Sequence, residues 1–266
     1  MCLLSESQLS DFQRLGFHVF EALFNPVECV ALKADIDALM ADRTAKRERY
    51  MCEYSELGPL ISDPRIMNIV EQVMGPGFVF HHLHAVRQDA GSPGVHWHQD
   101  YEQCPHTNRK HVMVHVFYYF NGLNGTIGDL LLVPSSQKAI IDNGALSLLG
   151  TENLPGTMVI NSLPPGSAVL VHSALWHARR AKPGGEESPR YFADASYCQA
   201  GVIWPAYGRK QWREILQRAK SMGLDRGGKY AHLFDETMFF DYLKARSVLE
   251  KAEGSLLLQV PGWDES

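Results

Sequence analysis

After Gly77 the hydrophobic pattern of this chain changes from a helical period to a period of two, and it keeps that period to about Tyr197. Alternation sustained over so long a stretch commits the middle of the chain to sheet. Phe78 to Gln88, His111 to Phe120, Asp129 to Val133, Ala168 to His172 and Tyr191 to Tyr197 read as strands divided by Gly, Pro, Asn and Ser clusters. The first quarter reads as helix. Ser5 and Gln8 stand at capping-box spacing before Leu9, Phe12 and Leu15, with Gly16 placed to stop the turn. Asn25-Pro26 starts a second helix with Leu32, Ile36, Leu39 and Met40 on one face, running into the charged stretch Arg43 to Arg49. Asp63-Pro64 starts a third, with Ile66, Ile69, Val70 and Val73 inward and Gly75-Pro76 as its stop. Tyr207 to Lys251 returns to helical character and includes the aromatic cluster Met238-Phe239-Phe240 and Tyr242. Helices, strands and a helical tail predict an α+β fold with a mainly β core, an antiparallel sandwich or barrel. With 266 residues and no repeat or low-complexity linker, one domain is expected: 1–76 as helical buttress, 77–200 as β core and 201–266 as helical segment.

Charge and cysteine usage narrow the function classes. The balance of 25 Lys plus Arg against 30 Asp plus Glu, with no basic run, argues against nucleic acid as a partner. Cys2, Cys29, Cys52, Cys104 and Cys198 are odd in number and form no CxxC pair, the usage of reduced thiols in a cytoplasmic protein. Polar residues from Ser5 to Gln8 leave no signal-type apolar run, and no stretch reaches the ~18 apolar residues of a membrane span. The expectation is a soluble, cytoplasmic protein with no membrane association.

The chemistry concentrates in His96-Trp97-His98-Gln99-Asp100, answered by Leu175-Trp176-His177 and then Arg190. If the first run is extended, alternation turns His98 and Asp100 to one face. A second imidazole such as His177 completes a two-His, one-carboxylate set, which leaves coordination positions open and suits a non-heme Fe(II) oxygenase. His96-Trp97-His98 followed by Glu102 also fits a cupin-like HxHxxxE pattern, which makes His96 and Glu102 ligands and leaves Asp100 idle. No second cupin motif follows Gly166, and that pattern gives Arg190 no role. A catalytically silent metal-binding module of the same fold is a further alternative. His81, His82 and His84, with His111 and His115 on the next strand, read mostly as strand-face residues rather than a second metal site. His172 reads as a hydrogen-bonder at a strand end, and Trp97, opposite His98, as core.

Together these segments resemble the phytanoyl-CoA dioxygenase family of Fe(II)/2-oxoglutarate oxygenases. The likeness runs from the helix before Gly16-Phe17 to about Tyr197. It takes in Trp97-His98-Gln99-Asp100, the Asn124-Gly125 turn leading to Leu131-Leu132-Val133-Pro134-Ser135-Ser136-Gln137-Lys138, Pro165-Gly166-Ser167 and Trp176-His177. His98-Gln99-Asp100-Tyr101-Glu102 also looks like the ectoine-hydroxylase branch. Two features depart from the pattern. Pro134-Ser135-Ser136-Gln137 stands where the family usually shows Pro-Gly-Ser-His, and Arg190 lies slightly further beyond His177 than usual, which the Pro183-Gly184-Gly185 turn absorbs.

The resemblance implies a double-stranded β-helix (jelly-roll) barrel with iron at one open end. It implies His98, Asp100 and His177 as iron ligands and Arg190 as the anchor of the distal carboxylate of 2-oxoglutarate, a role that a guanidinium fork fits better than an ammonium. Fe(II), 2-oxoglutarate and O2 are the implied cofactors. The implied reaction is hydroxylation or another oxidation of a C–H in a small molecule, with release of succinate and CO2. Halogenating relatives have a small residue where this chain keeps Asp100, so halogenation is disfavoured. Arg87, His96 and Tyr101 are the candidate substrate residues.

Overall fold

The computed structural model describes residues 3–44, 50–103, 109–141, 143–182, 188–207, 211–242 and 244–245. Cys2, Cys104, the Pro183-Gly184-Gly185 turn, the charged run 45–49 and the tail 246–266 lie outside the described residues. Three helices begin at their sequence signals. At α1 (Glu6–Leu15), Ser5 Oγ accepts from the Gln8 N–H at 3.2 Å and Gln8 Oε1 accepts from the Ser5 N–H at 2.9 Å. Before α2 (Pro26–Thr44), Asn25 Oδ1 caps the Val27 and Glu28 amides, while Glu28 Oε2 accepts from the Asn25 N–H at 2.8 Å. At α3 (Pro64–Met74), Asp63 caps the Arg65 amide and Gly75 closes the helix. Each device satisfies backbone groups that a helix end leaves without intrahelical partners.

The strands form two main antiparallel sheets. The larger joins β1 (Phe17–Phe20), β2 (Phe78–Gln88), β4 (Met113–Tyr119), β9 (Ser167–His172) and β11 (Arg190–Gln199) in the order β1-β9-β4-β11-β2. The smaller joins β3 (Val95–His98), β6 (Leu130–Leu132), β7 (Met158–Ile160) and β10 (His177–Arg179) in the order β3-β10-β6-β7. A two-stranded ribbon pairs β5 (Leu123–Asn124) with β8 (Ser162–Leu163).

All of β4 is buried because both of its faces are covered. Val114, Val116, Tyr118 and, on β9, Ala168 and Leu170 pack with Leu32, Ile36 and Leu39 of α2 and Ile66 and Val70 of α3. The alternate residues Phe117, Tyr119, Val169 and Val171 pack with Leu130 and Leu132 of the smaller sheet. Period two thus sorts one strand's side chains between a helical layer and a second sheet. The fold is α+β with mostly antiparallel sheets.

The C-terminal region departs from the helical expectation. Among the described residues there, only α5 (Trp212–Ser221) is an α-helix of any length, and Gly223, at φ 74, turns the chain away just after it. Phe239 and Phe240, expected on a helix, form β13 (Phe239–Phe240), parallel to β12 (Trp204–Pro205). Pairing with that two-residue strand and packing against Trp212 outweigh helical spacing in this short segment. Among the described residues no helix is long and apolar enough to cross a membrane.

The end of α1 also braces the second half of the chain. Gly16, at φ 88, accepts from the His172 N–H through its carbonyl at 2.8 Å. Gln137 Nε2 donates to the Gln13 and Arg14 carbonyls, and Ser136 Oγ accepts from the Trp176 N–H at 2.8 Å. A Cβ on Gly16 would lie 2.6 Å from Gln137 Oε1 and 2.8 Å from Leu175 Cδ1. Gly16→Ala is therefore expected to destabilise the fold by ~1–3 kcal/mol, from left-handed strain plus the clash. Thermal unfolding reads this directly, and an unchanged midpoint would contradict the bracing described.

Candidate metal centre

Register brings the first two groups together. On the antiparallel pair β3 and β10, His98 and His177 are direct partners, and their ring centroids lie 4.1 Å apart. Asp100 follows two residues after His98. Its Oδ1 lies 3.5 Å from His98 Nε2 and its Oδ2 lies 3.1 Å from His177 Nε2. One ligand atom from each of the three residues fits within 4.8 Å of the others. Ligand bonds of ~2.0–2.2 Å around one ion require donor separations of about this size.

The hydrogen bonds also settle which nitrogens face the centre. His98 Nδ1 lies 2.7 Å from the His96 carbonyl, and His177 Nδ1 lies 3.0 Å from the Leu175 carbonyl. A carbonyl oxygen only accepts, so each Nδ1 donates its proton and each Nε2 presents a lone pair toward Asp100 when neutral. Holding the far nitrogen in this way fixes ring orientation at metal sites generally. Burial and the neighbouring His177 push the His98 pKa down to about 4. Burial also opposes charge on His177 and on Asp100. For His177 the Asp100 charge and hydrogen bond prevail and raise its pKa. For Asp100 the nearby His177, His115 and His98 prevail and hold the carboxyl well below its usual range.

Gln99 clamps the ligand-bearing segment. Its N–H donates to Asn143 Oδ1 at 2.9 Å, its Nε2 to the Ile141 carbonyl at 3.0 Å, and its Oε1 accepts from Arg109 Nη2 at 2.9 Å. Asn143, at the start of α4 (Asn143–Ser147), returns a bond to the Gln99 carbonyl. The Asp100 N–H donates to the Ser173 carbonyl at 2.7 Å. The Asp100 backbone is thereby tied to the turn just before His177.

A cavity of about 240 Å³ opens beside the triad, lined from both sheets and reaching Arg190. Arg190 is 2 % exposed, and its Nε is buried without a hydrogen-bond partner among the described residues. Its Nη1 donates to the Gly128 carbonyl at 3.1 Å and its Nη2 to Tyr119 Oη at 3.4 Å. Burial lowers its pKa. Asp129, whose charge reaches Arg190, is itself paired with Arg180 at 2.8 Å. Arg179 lines the same cavity and, among the described residues, bonds neutral oxygens, Gln88 Oε1 and the Pro93 carbonyl. Burial and then Arg190 bring its pKa down to about 10. Two guanidiniums against one buried cavity make a receptor for an anion, and the bidentate fork suits a carboxylate. The residues present thus fit both a divalent metal and a carboxylate-bearing co-substrate.

The candidate substrate residues are not brought to this cavity. Arg87 pairs with Asp37 at 2.6 Å and Asp89 at 3.1 Å on the outer side of β2. His96 is exposed. Tyr101 is buried, donates Oη–H to the His111 carbonyl at 2.7 Å and carries Arg109 over its ring. The cupin-like set is not among the metal-capable groups of the described residues: Glu102 lies 3.5 Å from His81 Nε2 and His96 is exposed. Trp97 is fully buried, and His172 Nδ1 accepts from the Ala174 N–H at 3.1 Å.

Sequence reading passed over Arg179, Tyr119 and Asp194, all of which line the cavity. Alternation carries the signal for two of them. Arg179 stands two residues after His177 on β10, and Asp194 stands four after Arg190 on β11.

Comparison with known proteins agrees with this geometry. The phytanoyl-CoA dioxygenase (PhyH) family matches residues 12–182. The ectoine dioxygenase of Bordetella bronchiseptica is 28% identical over 160 residues, covering 52% of this chain and 51% of that protein. The chain therefore spans about half the length of the curated relatives it matches. Among solved structures, EctD from S. alaskensis in its apoform superposes with a TM-score of 0.62 at 17% identity, over 79% of this chain and 83% of that one. HygX from Streptomyces hygroscopicus with nickel and 2-oxoglutarate bound gives 0.61 at 18% identity, over 79% and 94%. These likenesses establish a shared fold, and the match over residues 12–182, more than half of the sequence, establishes kinship: the chain belongs to the phytanoyl-CoA dioxygenase family.

Proposed function

We propose that this chain is one Fe(II)- and 2-oxoglutarate-dependent oxygenase domain, its two main sheets closing as a double-stranded β-helix, and that it hydroxylates or otherwise oxidises a C–H of a small molecule. The observation that carries this reading is the pairing in one cavity of a His-Asp-His triad with a buried guanidinium whose Nε lacks a partner. His98, Asp100 and His177 would hold the metal, with both Nε2 atoms aimed by backbone carbonyls. Arg190 grips the distal carboxylate of 2-oxoglutarate, seconded by the Tyr119 hydroxyl and the charge of Arg179. Phe117, Phe192 and Leu130 give the cavity apolar walls. Iron with 2-oxoglutarate and O2 supplies the oxidising power, with succinate and CO2 as co-products; the protein contributes ligands, orientation and a dry site. Buried free thiols at Cys29, Cys52 and Cys198 support a cytoplasmic setting.

Three measurements bear on this reading. Fe(II)-loaded protein given 2-oxoglutarate and O2 is expected to form succinate, slowly without prime substrate, and His177→Ala is expected to abolish it. Stoichiometric iron with no 2-oxoglutarate binding would sink the oxygenase reading. Arg190→Lys should weaken 2-oxoglutarate binding about 10- to 100-fold by anaerobic titration, matching the ~1.5–3 kcal/mol of a charge-assisted contact. An unchanged Kd would remove Arg190 from the co-substrate site. The metal must displace the proton that His177 holds against Asp100, whereas His98, at about 4, is already neutral. Affinity at the triad should therefore fall about tenfold per pH unit below the raised His177 pKa and level off above it. A flat profile from neutral pH downward would contradict that proton assignment.

A further inference from the structure

Strand β2 breaks its own alternation. Against β11 the register runs from His82↔Ser196 to Phe80↔Tyr197, which leaves His81 with no residue opposite. This is a β-bulge, a device that re-aims side chains. It brings the imidazoles of His81 and His82 together, with their Nδ1 atoms 2.8 Å apart. His81 Nε2 lies 3.0 Å from the Pro205 carbonyl and must be the donor there. Both rings are buried, which disfavours their charged form. The single proton of His81 is therefore on Nε2, His82 donates its own from Nδ1 to His81 Nδ1, and His82 Nε2 is left as a bare lone pair.

That lone pair faces the buried Asp194 carboxylate, with His82 Nε2 and Asp194 Oδ2 3.7 Å apart. The separation exceeds hydrogen-bond distance, and the tautomer chain supplies no proton to fill it. His115 lies beside His82, with ring centroids 5.3 Å apart, and its Nδ1 lies 3.0 and 2.9 Å from the two carboxylate oxygens. The proton that His115 brings to the carboxylate does not reach the His82 lone pair, so a cation is the group that would engage all three donors together. We propose that His82, His115 and Asp194 form a second divalent-metal site, separate from the triad, with the N2O donor set that zinc-type ions favour. Ligand atoms from the three residues lie within 4.8 Å of one another. A tetrahedral ion with bonds of ~2.0–2.2 Å spaces its ligands about 3.4 Å apart, between the two separations at Asp194.

The surroundings have the features of a built site. His82 donates its far nitrogen to His81, which is pinned in turn by Pro205, the pattern by which a ligating imidazole is oriented. Tyr207 stacks on the His82 ring at 4.0 Å and 16°. His82 lines a cavity of about 280 Å³, and Asp194 lines the cavity beside the triad. Filling the site releases the proton held between His115 and Asp194 to solvent. The three ligands come from the neighbouring strands β2, β4 and β11, so the ion ties together one edge of the larger sheet. The site shares no residue with His98, Asp100 and His177 and does not depend on the oxygenase reading.

Anaerobic titration of the metal-free full chain with Co(II), counting bound ions after dialysis, tests the inference. Wild type is expected to bind two equivalents, His177→Ala one, His82→Gln one and the double variant none. Because Asp194 is held at hydrogen-bond distance by His115 and not by His82, His82→Gln leaves the His115–Asp194 pair in place, and far-UV circular dichroism checks its folding. In a folded His177→Ala background, saturating Co(II) should raise the unfolding temperature, and adding His82→Gln should remove that rise. One equivalent in wild type, lost in His177→Ala, would overturn the second site and leave the triad standing. A second equivalent that survives His82→Gln would also overturn it, as binding to surface histidines. One equivalent kept in His177→Ala but lost in His82→Gln would support the second site and overturn the triad.

Discussion

The cross-strand pairing of His98 with His177 is the constraint on which the rest of the centre depends. Each imidazole is aimed by a carbonyl two residues earlier on its own chain segment, so the two lone pairs converge only while β3 and β10 keep this register. A slip of one residue turns every side chain of a strand to its other face. The smaller sheet therefore does more than complete a core, because its register sets the geometry of the candidate metal centre. β3 is the edge strand of that sheet, and much of its security comes from outside the ladder, through the Gln99 clamp and the bond from Asp100 to Ser173.

The cavity holds two kinds of charge. Asp100 lies among the imidazoles of the triad and Asp194 is paired with His115, while among the described residues the hydrogen bonds of Arg190 and Arg179 go to neutral oxygens. A ligand that is anionic at one end and able to reach a metal with the other fits both ends. Low dielectric makes such complementarity count for more than it would at a surface. The fully buried Arg190 is costly while it lacks an anion, and that cost sharpens the preference for one.

Much of this was legible in the sequence because it rests on local rules. Capping signals at Ser5, Asn25 and Asp63 each start a helix, and alternation from Phe78 to Gln88 reproduces β2 to the residue. His98, Asp100 and His177 could be singled out because residue type and spacing carry coordination chemistry without reference to packing. Features that depend on long-range partners were not visible. Arg87 satisfies Asp37 of α2, a pairing that no local pattern encodes. The Phe239–Phe240 strand exists because Trp204–Pro205 lies beside it. The bulge at His81 reverses the sorting that alternation assigns to the histidines of β2, and only the register against β11 exposes it.

Ser135 shows how such long-range dependence shapes the mutations the chain can accept. It adopts φ 69 at a position where the family's usual motif has glycine. For a serine this left-handed conformation costs roughly 1–2 kcal/mol. The offset comes from the end of α1, where the Ser135 N–H donates to the Leu15 carbonyl at 2.9 Å and its hydroxyl to the Arg14 carbonyl at 2.8 Å. A glycine there would hold the turn by itself, whereas the serine holds it only while the helix stays in place. The loop and the opening helix, far apart in sequence, have thus become epistatic. Changes that unwind the last turn of α1 are tolerable beside a glycine at this position and damaging beside Ser135, and the damage passes through Ser136 to Trp176 and the metal-facing His177.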